Sequence, residues 1–154
     1  VQTDPNFANY LYLPATQQVA LLDLGSAGEY PAALVASYRD ACRAMLAGND
    51  TALREAMFAI GYAHPDDPEA MIRNAADIIR LACEPLVQRG PYDFAASGLA
   101  VRARDLGFAV AFGKGLRSPP PATMFLHRKL IGTFLICVKL RARVNVHAII
   151  EKFL

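Results

Sequence analysis

Three polar side chains near the start of the sequence have types and spacing that suit phosphoryl chemistry. Asp4 and Asn9 fall in Val1-Gln2-Thr3-Asp4-Pro5-Asn6-Phe7-Ala8-Asn9, and Asp23 follows in Leu21-Leu22-Asp23-Leu24-Gly25. A carboxylate such as Asp4 can orient or deprotonate an attacking hydroxyl or water. Asn9 and Asp23 offer hard oxygen ligands, and Mg²⁺ needs few of these because it keeps waters and takes phosphate oxygens as its other ligands. Held there, Mg²⁺ would bridge the phosphates of ATP and neutralise charge that develops in transfer. The same letters also build ordinary turns, since Asp-Pro-Asn is good loop chemistry without catalysis. Spacing alone leaves both readings open.

A hairpin must bring Asn9 and Asp23 together. Tyr10-Leu11-Tyr12-Leu13 and Val19-Ala20-Leu21-Leu22 read as short strands joined by a turn over Pro14 to Gln18. An antiparallel return sets Asn9 at the entrance and Asp23 at the exit. Helices follow. Leu34, Val35, Tyr38, Ala41, Cys42 and Met45 recur at helical spacing after Pro31 and stop at Gly48. Asp50 is the expected N-cap of a second helix carrying Leu53, Ala56, Met57 and Ile60. A third repeats Met71, Ile72, Ala75, Ile78, Ile79, Ala82, Cys83 and Leu86, and Gly90-Pro91 breaks it. Tyr92-Asp93-Phe94 reads as a turn with aromatic anchors. A fourth helix is expected from about Ser97 to Phe112, a fifth from about Ala122 to Arg143, and a short last one from about Val146. Gly113-Lys114-Gly115 lacks a full phosphate-loop pattern and reads as a helix stop before the Pro119-Pro120-Pro121 linker. Only the opening hairpin is strand-like.

A chain of 154 residues, 54% hydrophobic, can bury a core of its own. No signal peptide is visible at its start. The longest strongly apolar stretch, Leu130 to Val138, is too short to span a bilayer. Cys42, Cys83 and Cys137 read as buried free thiols of a reducing compartment, and His64, His127 and His147 have no metal-ligand spacing. The net charge of +2 is unevenly spread: from Lys114 to Leu154 eight Lys and Arg face the single acid Glu151. On a helical wheel Arg128, Lys129, Lys139 and Arg143 fall within about 100° of one another. That stripe is either a solvated face or a contact with anionic lipid. No aromatic interleaving accompanies it, so nucleic acid is not an expected partner.

The sequence resembles the UbiB family of atypical protein-kinase-like ATPases, which support ubiquinone biosynthesis. Gln2-Thr3-Asp4-Pro5-Asn6 with Asn9 carries the likeness, as does Val19-Ala20-Leu21-Leu22-Asp23-Leu24-Gly25 running into Glu29-Tyr30. So do Pro119-Pro120, Leu126-His127-Arg128-Lys129-Leu130, Gly132, Phe134-Leu135-Ile136-Cys137 and Lys139-Leu140-Arg141-Ala142-Arg143. The Gln-Thr-Asp-Pro-Asn loop is similar to the mitochondrial and alphaproteobacterial branch. Leu24 stands where the family has Phe, and Gly28 where an Arg is common.

The resemblance implies a mainly α fold, a protein-kinase-like C-lobe with a small β-hairpin at its N-terminal edge and family-specific C-terminal helices. It implies one domain over residues 1–154: catalytic loop, hairpin and Asp-Leu-Gly segment over 1–30, helical core over 31–112, and basic C-terminal helices over 119–154. Asp4 is then the catalytic base, and Asn9 and Asp23 hold Mg²⁺ against ATP. ATP is the implied partner, with anionic lipid, isoprenoid-quinone intermediates and other ubiquinone-biosynthesis proteins as further candidates. The place implied is peripheral, on the cytoplasmic face of a bacterial inner membrane or in the mitochondrial matrix. The nucleotide-covering loop, its phosphate-pairing Lys and that Lys's Glu partner are not in these residues, so the isolated chain is expected to be inactive. The alternative is a non-catalytic helical module, a pseudokinase remnant that binds lipid or protein.

Overall fold

The computed structural model describes every residue except 1, 2, 4, 24–26 and 113–116, and it describes the backbone alone over 107–112. The candidate base Asp4, the Leu24-Gly25 pair and Gly113-Lys114-Gly115 lie outside the described residues.

A single 3-10 turn over Phe7–Asn9 leads into β1 (Tyr10–Leu13), which pairs antiparallel with β2 (Gln18–Leu21). The helices α1 (Ala32–Ala47), α2 (Asp50–Ile60) and α3 (Glu69–Val87) follow. Next come β3 (Tyr92–Asp93), α4 (Leu99–Phe112), α5 (Pro121–Lys139), β4 (Arg143–Val144) and α6 (Val146–Ile150). The fold is mainly α, with small antiparallel strand pairs, as a kinase-like C-lobe requires.

Small residues let α1, α2 and α3 approach closely. Ala41 and Ala44 of α1, Ala56 of α2, and Ala75 and Ala76 of α3 are buried, with Leu53, Met57, Ile60 and Ile72 filling the space between them. Asn49, one residue earlier than expected, caps α2 by accepting from Ala52 N at 3.0 Å. Asp50 instead begins the helix, where its charge suits the N-terminal dipole and where it takes Arg80 of α3 at 2.7 Å.

A second cluster lies at the other end. Tyr92, Phe94 and Leu99 are buried against Leu81 of α3 and against Phe134, Cys137 and Val138 of α5. The Tyr92 hydroxyl donates to Glu84 Oε1 at 2.7 Å, and Arg102 grips the same carboxylate with two bonds of 2.6 and 2.7 Å. The three cysteines are free, as expected, but half-buried and not fully enclosed.

Two expectations are corrected here. Tyr92–Asp93 is a strand and not a turn, because it pairs with Val144 and Arg143. The fifth helix ends at Lys139 and does not reach Arg143. Its end is a Schellman motif: Arg141 N donates to Val138 O at 3.0 Å, and Ala142 N donates to Cys137 O at 2.9 Å. Arg141 occupies the left-handed position at φ 49° that glycine normally fills. Beyond it the chain extends into β4, so Arg143 leaves the helical stripe and lies 3.7 Å from the Asp93 carboxylate.

A side chain at a left-handed position costs about 1 kcal/mol or more. Arg141→Gly is therefore expected to raise folding stability by about 1 kcal/mol without moving β4. Urea denaturation checks it, and a loss of stability would mean that the Arg141 side chain holds something the backbone does not explain.

Candidate active site

The register Tyr10↔Leu21 fixes the open end of the hairpin. One rung further out, Leu22 N donates to Asn9 O at 2.8 Å, and Asp23 is the next residue. Asn9 and Asp23 are thus neighbours by backbone pairing, as the sequence predicts. Asn6 shapes the approach: its side chain accepts from Ala8 N at 3.1 Å, and its carbonyl accepts from Asn9 N at 2.9 Å. This Asx turn makes the 3-10 segment that delivers Asn9 to the strand.

The pair fits a hard divalent cation. Asp23 is exposed, Asn9 is half-buried, and both present oxygen. Among the described residues no cluster of three His, Cys, Asp or Glu could hold a metal. Mg²⁺ accepts such a sparse set, because waters and phosphate oxygens complete its shell.

The loop before Asn9 is anchored at buried Thr3 and buried Pro5. Pro5 lies on α5 at Gly132. A Cβ at Gly132 would overlap Pro5 Cγ and sit 3.4 Å from its Cβ and Cδ. Further along α5, Lys139 Nζ stands 4.0 Å from the centre of the Phe7 ring.

A polar network linking α1, the end of α2 and α5 was not legible in the sequence. The Tyr38 and Tyr62 hydroxyls hydrogen-bond each other, and Tyr62 also bonds His127 Nε2. The Tyr62 and His127 rings stack at 5.4 Å, and Tyr38 meets Tyr62 edge-on at 6.2 Å. Thr123, fully buried one turn before His127, donates to Pro120 O at 2.8 Å. Burial pushes the Tyr62 phenol far up, aided by the bond to Tyr38, and burial raises Tyr38 as well. Burial pushes the His127 imidazole down. Tyr38 had looked like one more apolar position of α1. Only the polar Leu-His-Arg-Lys-Leu interruption of α5 could have hinted at a buried partner.

The basic stripe is dismantled in part. Arg143 is on β4, and Lys139 faces Phe7. Arg128 is exposed and Lys129 half-buried on α5, where Met124, Phe125, Ile131 and Leu135 are also exposed. No helix among the described residues is long and apolar enough to cross a membrane.

No family model matches the chain. It is similar to the protein named "Atypical kinase COQ8, mitochondrial" of Schizosaccharomyces pombe, 33% identical over 150 residues that make up 94% of this chain and 24% of that protein. It is also 33% identical over 148 residues to "Atypical kinase COQ8B, mitochondrial" of Rattus norvegicus, covering 94% of this chain and 27% of the relative. With "Probable serine/threonine-protein kinase abkA" of Dictyostelium discoideum it shares 26% identity over 160 residues, 99% of this chain and 28% of that protein. The chain therefore spans about a quarter of the length of these curated relatives.

The His127 shift has a signed consequence. Its folded value lies below the ordinary 6.5, so the neutral ring is favoured in the fold. Unfolding then takes up a proton, and stability present above pH 6.5 is lost as pH falls through the depressed value. Urea denaturation between pH 7.5 and 5 is expected to show this decline in the native sequence and a flatter profile in His127→Gln. Parallel profiles would assign the decline to other groups.

Proposed function

Since the chain belongs to the UbiB family of atypical kinases, we propose that it is the C-lobe segment of a MgATP-dependent ATPase or phosphotransferase supporting ubiquinone biosynthesis. The observation that carries this is the hairpin register, which sets Asn9 beside the Leu22–Asp23 step. Asp23 is the principal Mg²⁺ ligand and Asn9 the second. Asp4 orients or deprotonates the attacking hydroxyl or water. Bound there, MgATP supplies the transferable phosphoryl group; the chain's own part is to hold the metal and place the base. Residues 1–30 form the catalytic edge, 31–112 the helical core, and 119–154 the C-terminal helices that brace it. The segment carries the base and metal side of such a site alone, so by itself it binds nucleotide weakly and turns nothing over.

The test is calorimetric titration of the full-length protein with ATP, with and without Mg²⁺. Asp23→Asn removes the charge that holds the metal, a contact worth roughly 1.5–3 kcal/mol, and weakens MgATP binding by about tenfold or more. Asn9→Ala acts in the same direction and less strongly. An Asp23→Asn protein with undiminished Mg²⁺ dependence would count decisively against the assignment.

A second reading, contact with an anionic membrane surface, is favoured by the exposed Met124, Phe125, Ile131 and Leu135 on the helix that also carries Arg128 and Lys129. Apolar residues beside cations are what an interfacial helix needs. The four-cation stripe shrinks to Arg128 and Lys129, worth up to about 2 kcal/mol together at an anionic surface. Co-sedimentation with anionic and neutral liposomes, comparing the native sequence with Ile131→Ser/Leu135→Ser and with Arg128→Gln/Lys129→Gln, separates the terms. Binding equal in all three proteins returns the face to an ordinary solvated surface.

A further inference from the structure

Two contacts tie the opening loop to a helix far downstream in sequence. Pro5 is buried on Gly132, where even a methyl group would overlap its ring. The pyrrolidine ring is locked to the backbone, so it cannot swing aside as a long side chain could. The Phe7 ring lies under the Lys139 ammonium at 4.0 Å, a cation–π geometry. Gly132 and Lys139 are about two helical turns apart and so share one face of α5. That face therefore reads Pro-Asn-Phe of the loop as a unit, a bare patch for the ring and a cation for the aromatic.

Short-range bonds order the other end of the same loop. Asn6 orders Ala8 and Asn9, and Asn9 O takes Leu22 N. The hairpin beyond exposes Leu11, Tyr12, Val19 and Leu22, so apolar burial gives it little support. Its long-range contacts at Pro5 and Phe7 are both with α5.

We propose that Gly132 and Lys139 are positioning residues for the phosphoryl-transfer site: α5 holds the Pro5–Asn9 segment, and with it the second metal ligand. The inference rests on the roles given above to Asn9 and Asp23. It goes beyond them in assigning control of the loop to a helix that contributes no ligand.

The experiment uses the full-length protein and four variants: Gly132→Ala, Gly132→Ala/Pro5→Ala, Lys139→Met and Asp23→Asn. Amide exchange at Asn9 and Leu22 reads the loop, amides of Met57 and Ile60 read the core, and ATP turnover reads the site. Gly132→Ala is expected to speed exchange at Asn9 and Leu22, leave the core amides unchanged, and lower kcat by up to about a hundredfold, the effect of a small misplacement. Pro5→Ala in that background removes the overlapping Cγ and is expected to restore both readouts, which a general loss of stability would not allow. Lys139→Met shifts both in the same direction by less, and it gives the answer should Gly132→Ala not fold. Unchanged loop exchange, equal loosening of loop and core, or no rescue by Pro5→Ala overturns the proposal. Loosened loop amides with full turnover overturn it through the reading beneath it, and Asp23→Asn tells the two failures apart: full turnover there too means the metal site itself is wrong.

Discussion

The close approach of Pro5 to Gly132 is the constraint on which the arrangement of this chain depends. It joins the start of the sequence to the middle of α5 at a place where no side chain fits. α5 can serve as that anchor because it is fastened at both ends. At its start, Tyr62 grips His127, and Pro120 lies so close to Gly61 that a Cβ there would come within 2.9 Å of the ring. At its finish, Phe134, Cys137 and Val138 enter the cluster around Tyr92 and Phe94. α5 thus meets the second cluster, the loop, and Tyr62, which packs against the first cluster.

Much of this order was legible in the sequence, and the failures are informative. The hairpin was readable because apolar runs flank a polar turn, but its register was not: the second strand is Gln18–Leu21, one residue earlier than the expected Val19–Leu22. The end of α1 was readable because Gly48 takes the left-handed cap at φ 63°, and Gly61, not singled out in the sequence, does the same for α2 at φ 90°. The end of α5 was hidden because Arg141 takes that position instead. Read without a glycine, the periodicity ran on to Arg143 and produced a cationic stripe that the Schellman turn breaks. The Asn49 cap was hidden for a milder reason: Asn49 and Asp50 are both good caps, and only the helix axis decides between them. The Tyr38–Tyr62–His127 network could not be read at all, since three separate elements supply its members and no spacing links them.

The uneven charge has a physical resolution. Cations of the C-terminal quarter reach back to acids of the preceding helices and loops: Arg117 takes Asp67 with bonds of 3.1 and 2.7 Å, and Arg143 approaches Asp93. Arg117 holds the Asp67 carboxyl below its usual range, and His64 N adds a bond of 2.7 Å to the same group. These pairs pull the segments on either side of α5 onto the rest of the fold. They are largely surface pairs and contribute little each to stability, so their effect is on where the chain runs more than on how firmly it folds.

The hairpin shows why such bracing matters for chemistry. A two-stranded hairpin is marginally stable by itself in water. Here Leu11, Tyr12, Val19, Leu21 and Leu22 are exposed, so burial adds little to the ladder. The ladder can decide which residue sits opposite which, and so it can set Asn9 beside the Leu22–Asp23 step. It cannot decide where that pair sits relative to the helices. The contacts of Pro5 with Gly132 and of Phe7 with Lys139 bear on that placement. Local pairing and distant packing thus act on different degrees of freedom, the first setting which residues face each other and the second where that edge lies.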